Sequence, residues 1–161
     1  MGYNMEINEN SVLRTCLSRA AIEVFATIAG IDFSQAPASI PCQHVPADRL
    51  TGAMLVHGER NALLSITISK EDAAAIVSSM TGVSQSGLSA DDLYDGVAEM
   101  INMVAGRAKA LLAGSGYHYA LTAPFTIAGA NHFIVYKKQT SQIGLCFAAG
   151  EMVVWLRLAH M

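Results

Sequence analysis

The stretch LSADDLYDGVAEMINMVAGRAKALLAG, residues 88–114, decides the fold, because it predicts one long helix with a defined start and stop. Ser89 is suited to cap the N-terminus of this helix. Asp92 lies in the first turn, where the helix dipole favours negative charge. Gly114 is the predicted stop, since glycine commonly follows the last helical turn.

This helix separates an apolar face from a polar one when its residues are placed about 100° apart. The apolar stripe consists of Leu93, Val97, Met100, Ile101, Val104, Ala108 and Leu111. The nearly opposite line consists of Asp95, Glu99, Asn102 and Gly106. The core does not require this second line, which is therefore the candidate functional surface.

Two members of the polar line are unusual inside a helix. Asparagine prefers caps and turns to helix interiors, yet Asn102 stands in the middle. A glycine such as Gly106 costs about 1 kcal/mol relative to alanine in a helix. The plain alternative is an ordinary solvated face, since polar lines with this spacing are common on helices.

The chemistry open to these side chains is limited but definite. The amide of Asn102 can hold a water through one donor and one acceptor, but it cannot act as a base. Glu99 can pair with a lysine or arginine of a partner. Such a set would position water for attack on an existing electrophile, for example an aspartyl phosphate beside Mg²⁺.

A weaker copy of this pattern occurs 76 positions earlier in the chain. It repeats the apolar stripe and the Glu-to-Gly spacing but lacks the amide. The positions that correspond to the polar line are Arg19, Glu23, Ala26 and Gly30. We therefore predict an internal duplication within one domain, residues 1–161, with pseudo-repeats over residues 11–82 and 88–161.

Each predicted repeat begins with a helix and continues into antiparallel strands. We expect a loose arm over residues 1–10, a first helix over 11–29 and an edge strand or extended linker over 39–46. A hairpin and a short helix capped by Ser69 follow. The expected later strands cover 117–128, 132–138, 142–148 and 152–158, the last three as a meander. The fold class is α+β, with helices packed on one face of an antiparallel sheet.

The composition excludes several classes of protein. Of the 161 residues, 52% are hydrophobic and only 14% are charged, so some surface is expected to be covered by a partner or a second copy. A net charge of −3 provides no footprint for nucleic acid or an anionic membrane. No apolar run has membrane-spanning length and no signal-peptide pattern is present, which favours the cytoplasm.

The remaining candidate sites are weaker. Cys42 and His44 are potential metal ligands, but no second pair at zinc-site spacing accompanies them, so no metal site is predicted. With Cys16 and Cys146, the cysteines number three and are expected to be reduced, buried thiols. Trp155 lies in an apolar strand and is expected in the core or a dimer interface.

The polar line matches a known motif. The run Asp95-x-x-x-Glu99-x-x-Asn102-x-x-x-Gly106, followed by Arg107-Ala108-Lys109, resembles the signature helix of the CheC/CheX/FliY phosphatases. The decayed copy in the first half fits the internal two-fold of that family. One intact helix beside one decayed helix is most similar to CheX.

This resemblance implies a function. Family members hydrolyse the aspartyl phosphate of a response-regulator receiver, typically the chemotaxis regulator CheY. It implies that Asn102 orients the attacking water, that Glu99 pairs with the receiver's lysine, and that Asp95 and Gly106 contact the partner. No cofactor of its own is implied, because the receiver supplies Mg²⁺.

The resemblance also implies one site per chain and a homodimer joined through the sheets. The alternative is a non-catalytic signalling module that keeps the fold and binds a receiver without speeding hydrolysis. A weaker alternative is a structural homodimer with a merely solvated helix face.

Overall fold

The computed structural model describes residues 2–36 and 46–161, with the side chains of residues 2–9 left aside. Its helices are α1 (Gly2–Ala29), α2 (Lys70–Thr81) and α3 (Ala90–Leu111), and a 3₁₀ turn covers Gln85–Gly87. The strands are β1 (Ser34–Gln35), β2 (Arg49–His57), β3 (Ala62–Ser69), β4 (Ala120–Leu121), β5 (Phe125–Ala128), β6 (Gln142–Ala149) and β7 (Met152–His160).

The strands form one antiparallel sheet in the order β1-β6-β7-β3-β2-β4, and β5 also pairs with β2. The β2–β3 and β6–β7 hairpins lie on either side of the β3–β7 pair. All three helices pack on one face of this sheet, as their shared core shows. The predicted α+β class is confirmed.

Alternation along the central strands explains why one face is covered. In β3, Leu64, Ile66 and Ile68 are buried beneath the helices, and each lies opposite an apolar residue of β7. The intervening Ser65 and Thr67 point to the other face. We call this second side of the sheet the outer face.

Local signals define the start of α3. Ser89 Oγ accepts a hydrogen bond from the Asp92 backbone, and Asp92 Oδ2 accepts one from the Ser89 backbone over 2.8 Å. These bonds from Ser89 lower the pKa of the Asp92 carboxyl. The helix ends at Leu111, slightly before the predicted stop, and Gly114 has a φ of +82° in the following turn.

Two glycines hold α3 close to its neighbours. A Cβ at Gly52 of β2 would lie 2.5 Å from the Val97 carbonyl oxygen of α3. A Cβ at Gly96 would overlap the Val77 side chain of α2. The absence of side chains at both places therefore sets the distance of α3 from the sheet and from α2.

Several predicted elements differ from the observed ones. The first helix starts at Gly2, so the expected arm over residues 1–10 is wrong. The strand over 117–128 is split into β4 and β5 on either side of Pro124, and β1 was not predicted. The extended segment expected over 39–46 lies outside the described residues except for Pro46, as do Cys42 and His44.

The predicted strand over 132–138 is wrong, and so is the three-stranded meander that included it. This segment pairs with no strand of the sheet described here and instead lies over the outer face. Arg49 Nε donates to the His132 carbonyl oxygen over 2.6 Å, and His132 Nε2 lies 2.9 Å from Thr51 Oγ1. Side-chain hydrogen bonds thus attach the segment where backbone pairing was expected.

Three side chains also differ from expectation. Trp155 points to the outer face and is only half-buried, so its expected place in the core is wrong. Cys16 and Cys146 are free thiols, as predicted, but half-buried rather than buried. No helix in the described part of the chain is long and apolar enough to cross a membrane.

Candidate functional site

The candidate site lies along the exposed side of α3. The structure brings together all four residues of the polar line, each of them exposed: Asp95, Glu99, Asn102 and Gly106. The apolar stripe beneath them is buried, except for the half-buried Leu111. Because the stripe anchors α3 on the sheet, the helix presents this line to solvent on a rigid support.

Glu99 and Asn102 form the one hydrogen-bonded pair within this line. Asn102 Nδ2 donates to Glu99 Oε2 over 3.2 Å. A carboxylate only accepts hydrogen bonds, so the amide nitrogen must face Glu99. The amide oxygen of Asn102 is then the atom that can accept a hydrogen bond from a water.

Gly106 has no packing role within the described chain. A Cβ at this position would meet no atom within 4 Å, in contrast to Gly52 and Gly96. The helix therefore bears the cost of a glycine, about 1 kcal/mol relative to alanine, without an internal steric reason.

The corresponding positions of α1 have a different chemistry. Glu23 accepts hydrogen bonds from Arg19 Nε over 2.7 Å and from Arg107 Nε over 2.5 Å. Ala26 carries no amide where α3 has Asn102. The first carboxylate is thus bound by two arginines of its own chain, and only α3 presents a carboxylate–amide pair.

The pairing of Glu23 links α1 to α3. Hydrogen bonding to Arg107, and secondly to Arg19, lowers the pKa of the Glu23 carboxyl. A carboxyl whose pKa is lowered by folding stabilises the protein above its unfolded pKa, and this contribution disappears as the pH falls through the folded pKa.

We expect the Glu23→Gln variant to be less stable than the wild type at neutral pH. The difference should shrink as the pH falls through the acid range in which Glu23 titrates, because the wild-type ion pairs are then lost. Urea unfolding of both proteins over this pH range, at low salt, measures the difference. A difference that is constant with pH would contradict this account.

Sequence reasoning missed the Arg107–Glu23 pair. The Arg19–Glu23 half has the i,i+4 spacing of helix ion pairs and could have been recognised. Arg107 lies 84 positions from Glu23, and no local pattern indicates that they meet. Among the described residues, no cluster of His, Cys, Asp and Glu could hold a metal ion.

Comparisons with known proteins agree with this architecture. The chain is similar to the chemotaxis protein CheX of Vibrio vulnificus, with 24% identity, 91% of this chain and 95% of that chain covered, and a TM-score of 0.78. It is similar to a CheC-like superfamily protein of Shewanella sp. PV-4, with 22% identity, coverage of 93% and 97%, and a TM-score of 0.79.

A further similar structure is the CheX-CheY-BeF3-Mg²⁺ complex of Borrelia burgdorferi, with 16% identity, coverage of 91% and 96%, and a TM-score of 0.72. No curated protein sequence matches the chain. The family model described as chemotaxis phosphatase CheX matches residues 50–148, more than half of the chain, including the whole of α3. The chain therefore belongs to the CheX family of chemotaxis phosphatases.

Proposed function

We propose that this protein hydrolyses the aspartyl phosphate of a CheY-like receiver domain. The observation that carries the proposal is the hydrogen-bonded Glu99–Asn102 pair on the exposed side of α3. Membership of the CheX family supports it, as does the structure of a similarly folded CheX in complex with CheY, BeF3 and Mg²⁺.

In the proposed step, the amide oxygen of Asn102 accepts a hydrogen bond from a water and directs the water's oxygen toward phosphorus. A bond forms between this oxygen and phosphorus while the bond from phosphorus to the aspartyl oxygen breaks. The products are inorganic phosphate and a free aspartate, and the water's proton passes to phosphate or solvent. The protein therefore positions the nucleophile and generates none.

The carboxylates would hold the partner. Glu99 would form a charge-assisted hydrogen bond with a lysine of the receiver, and its present bond to Asn102 keeps both groups on one side of the helix. Asp95, one turn earlier and exposed, would contact the same partner. Mg²⁺ would come with the receiver, and this chain would need no cofactor of its own.

Gly106 would provide space for the receiver. Its exposed backbone, with no atom within 4 Å of an added Cβ, permits a partner to approach α3 beside Asn102. This role explains a glycine that the packing of the chain does not require.

The decisive experiment measures the decay of phosphorylated receivers from the same genome, in Mg²⁺, with and without this protein. Faster decay of one receiver supports the phosphatase. Binding without faster decay of any receiver would replace it with the non-catalytic signalling module. Neither binding nor faster decay would indicate a structural protein whose α3 face is merely solvated.

Replacing Glu99 with alanine should weaken receiver binding by about tenfold or more, since one charge-assisted hydrogen bond is lost. Stability should hardly change, because the side chain is exposed and alanine suits a helix. Calorimetric titration with the receiver and urea unfolding measure the two effects. An unfolded variant, or one with wild-type affinity, would contradict this role.

We also propose a homodimer. In the segment over the outer face, Phe133 and Val135 are 76% and 78% exposed, whereas the alternating His132 and Ile134 are half-buried. Two large apolar side chains facing solvent suit contact with a second copy. Light scattering at micromolar concentration tests this, and a monomer would remove it.

The internal duplication likewise gains support from the sheet. On either side of the central β3–β7 pair, β2 and β6 occupy equivalent places, and β5 and β1 lie beyond them. Each outer strand pairs with the opposite half: β1 with β6, and β5 with β2. Such interlocked pairing suits two repeats, residues 11–82 and 88–161, folded as one domain. Its predicted place of action is the cytoplasm.

A further inference from the structure

A cavity of about 460 Å³ lies on the outer face of the sheet, away from α3 and its polar line. The segment from His132 to Tyr136 forms one wall, and the floor is made by outward-facing residues of β2, β3, β6 and β7. Cavities of this size are typical of sites for small molecules.

The walls of this cavity are positively charged. Arg14, Arg49 and Arg157 all line it, and none of the described lining residues is acidic. This arrangement contrasts with the whole chain, whose net charge is −3. Arginine is the side chain best suited to bind phosphate or carboxylate oxygens, so the electrostatics favour an anion.

Contacts with neutral groups hold these arginines in place. Arg14 Nη1 donates to the Gly144 carbonyl oxygen over 3.1 Å, and Arg49 Nη1 donates to that of Pro46 over 2.9 Å. The guanidinium of Arg157 lies 5.7 Å from the centre of the Tyr136 ring. Carbonyl oxygens and an aromatic ring orient a guanidinium without removing its charge.

Two hydrogen-bond donors at this cavity are buried and lack an acceptor among the described groups: Tyr136 Oη and Trp155 Nε1. A buried donor without an acceptor is unfavourable, and native structures usually supply one. Oxygen atoms of a bound molecule would satisfy both donors where the arginines attract negative charge.

Gly144 leaves space in the same cavity. A Cβ at this position would meet no atom within 4 Å, and its backbone lies directly opposite Arg157 in the β6–β7 pair. A larger side chain would occupy the cavity while leaving every charge and donor unchanged.

We propose that this cavity binds a small organic anion. The arginines would bind its phosphate or carboxylate oxygens, and Tyr136 and Trp155 would donate to oxygens of the same molecule. The aromatic rings of these two residues would contact its apolar part.

The experiment uses Trp155, the only tryptophan of the chain, as a reporter within the cavity. The full-length protein is titrated with adenosine monophosphate, benzoate, inorganic phosphate and uncharged adenosine, and its fluorescence is recorded, with calorimetry as a second readout. We expect saturable binding of adenosine monophosphate or benzoate at millimolar concentration or below, and none of adenosine. The first two probes distinguish a phosphate from a carboxylate ligand.

Two variants and a control locate the binding. Arg157→Ala should lose about tenfold in affinity, the effect of one charge-assisted hydrogen bond. Gly144→Leu should abolish binding by filling the cavity, and a strand position tolerates the change. Arg60→Ala removes the same charge at the exposed β2–β3 turn and should bind like the wild type.

Clear outcomes would overturn the proposal. Absence of saturable binding by every anionic probe would do so, as would equal losses in the Arg60 and Arg157 variants, which indicate general charge attraction. A Gly144→Leu protein with a wild-type circular dichroism spectrum and unchanged affinity would place any binding elsewhere. Fluorescence that follows protein concentration and no probe would assign the cavity to an interface between copies.

Discussion

Replacing Asn102 with alanine is expected to reduce the accelerated dephosphorylation of the receiver by about a hundredfold, toward the rate of the receiver alone. The amide oxygen is the group proposed to direct the water, and alanine has no acceptor to take its place. Removing a group that acts only in the transition state lowers the rate of reaction more than the affinity. We therefore expect receiver binding to change much less than the rate.

The measurement is the single-exponential decay of phosphorylated receiver at saturating wild-type or variant protein. Alanine is the better helix former by up to about 0.7 kcal/mol, so the variant should remain at least as stable as the wild type. Gln85→Ala, which removes an exposed amide outside α3, is the matched control and should leave the rate unchanged. A folded Asn102→Ala protein with the wild-type rate would refute the water-positioning mechanism.

Replacing Gly52 with alanine is expected to produce a large loss of stability from a single added methyl group. The new Cβ would lie 2.5 Å from the Val97 backbone oxygen, and a backbone atom in a packed helix cannot rotate away. Either α3 or β2 must move, which should lower the free energy of unfolding by about 1–3 kcal/mol or more. Because α3 carries the candidate site, the shift should also lower the dephosphorylation rate.

Gly106→Ala is the matched control, since the same methyl group then enters open space. Here the free energy of unfolding should rise by about 0.5–1 kcal/mol, the usual difference between glycine and alanine in a helix. Urea unfolding of the two variants compares them directly. Equal effects would show that the approach of α3 to the sheet is not limited by Gly52.

Receiver affinity separates the control from a simple stabilisation. If the receiver approaches α3 beside Asn102, the methyl group at position 106 should weaken binding although the protein is more stable. Unchanged affinity in the stabilised variant would remove Gly106 from the proposed contact surface, while leaving the roles of Glu99 and Asn102 to their own tests.

The elements that the sequence predicted well are those held by neighbours in the chain. The capping box of Ser89 and Asp92 marks the start of α3, and the alternation of β3 places it in a hairpin. The polar line of α3 also belongs to this group, since all its members lie within one helix. Spacing alone decides that they share a face.

The elements predicted wrongly depend on distant contacts. Residues 132–138 alternate like a strand, yet no backbone partner lies beside them, and Arg49 holds His132 instead. Residues 2–9 are polar, but no helix breaker separates them from the rest of α1, so a helix once started can continue through them. Trp155 lies in an apolar strand, and only the position of the helices shows that it points away from the core.

By itself, the sequence determined the three helices, the two hairpins and the exposed line of Asp95, Glu99, Asn102 and Gly106, because these follow from local periodicity and capping. Tertiary structure alone decided that Arg107 binds Glu23, and that three arginines meet around Trp155 on the outer face. These contacts join residues far apart in the chain, and their meeting depends on the order and register of the strands, which no local pattern encodes.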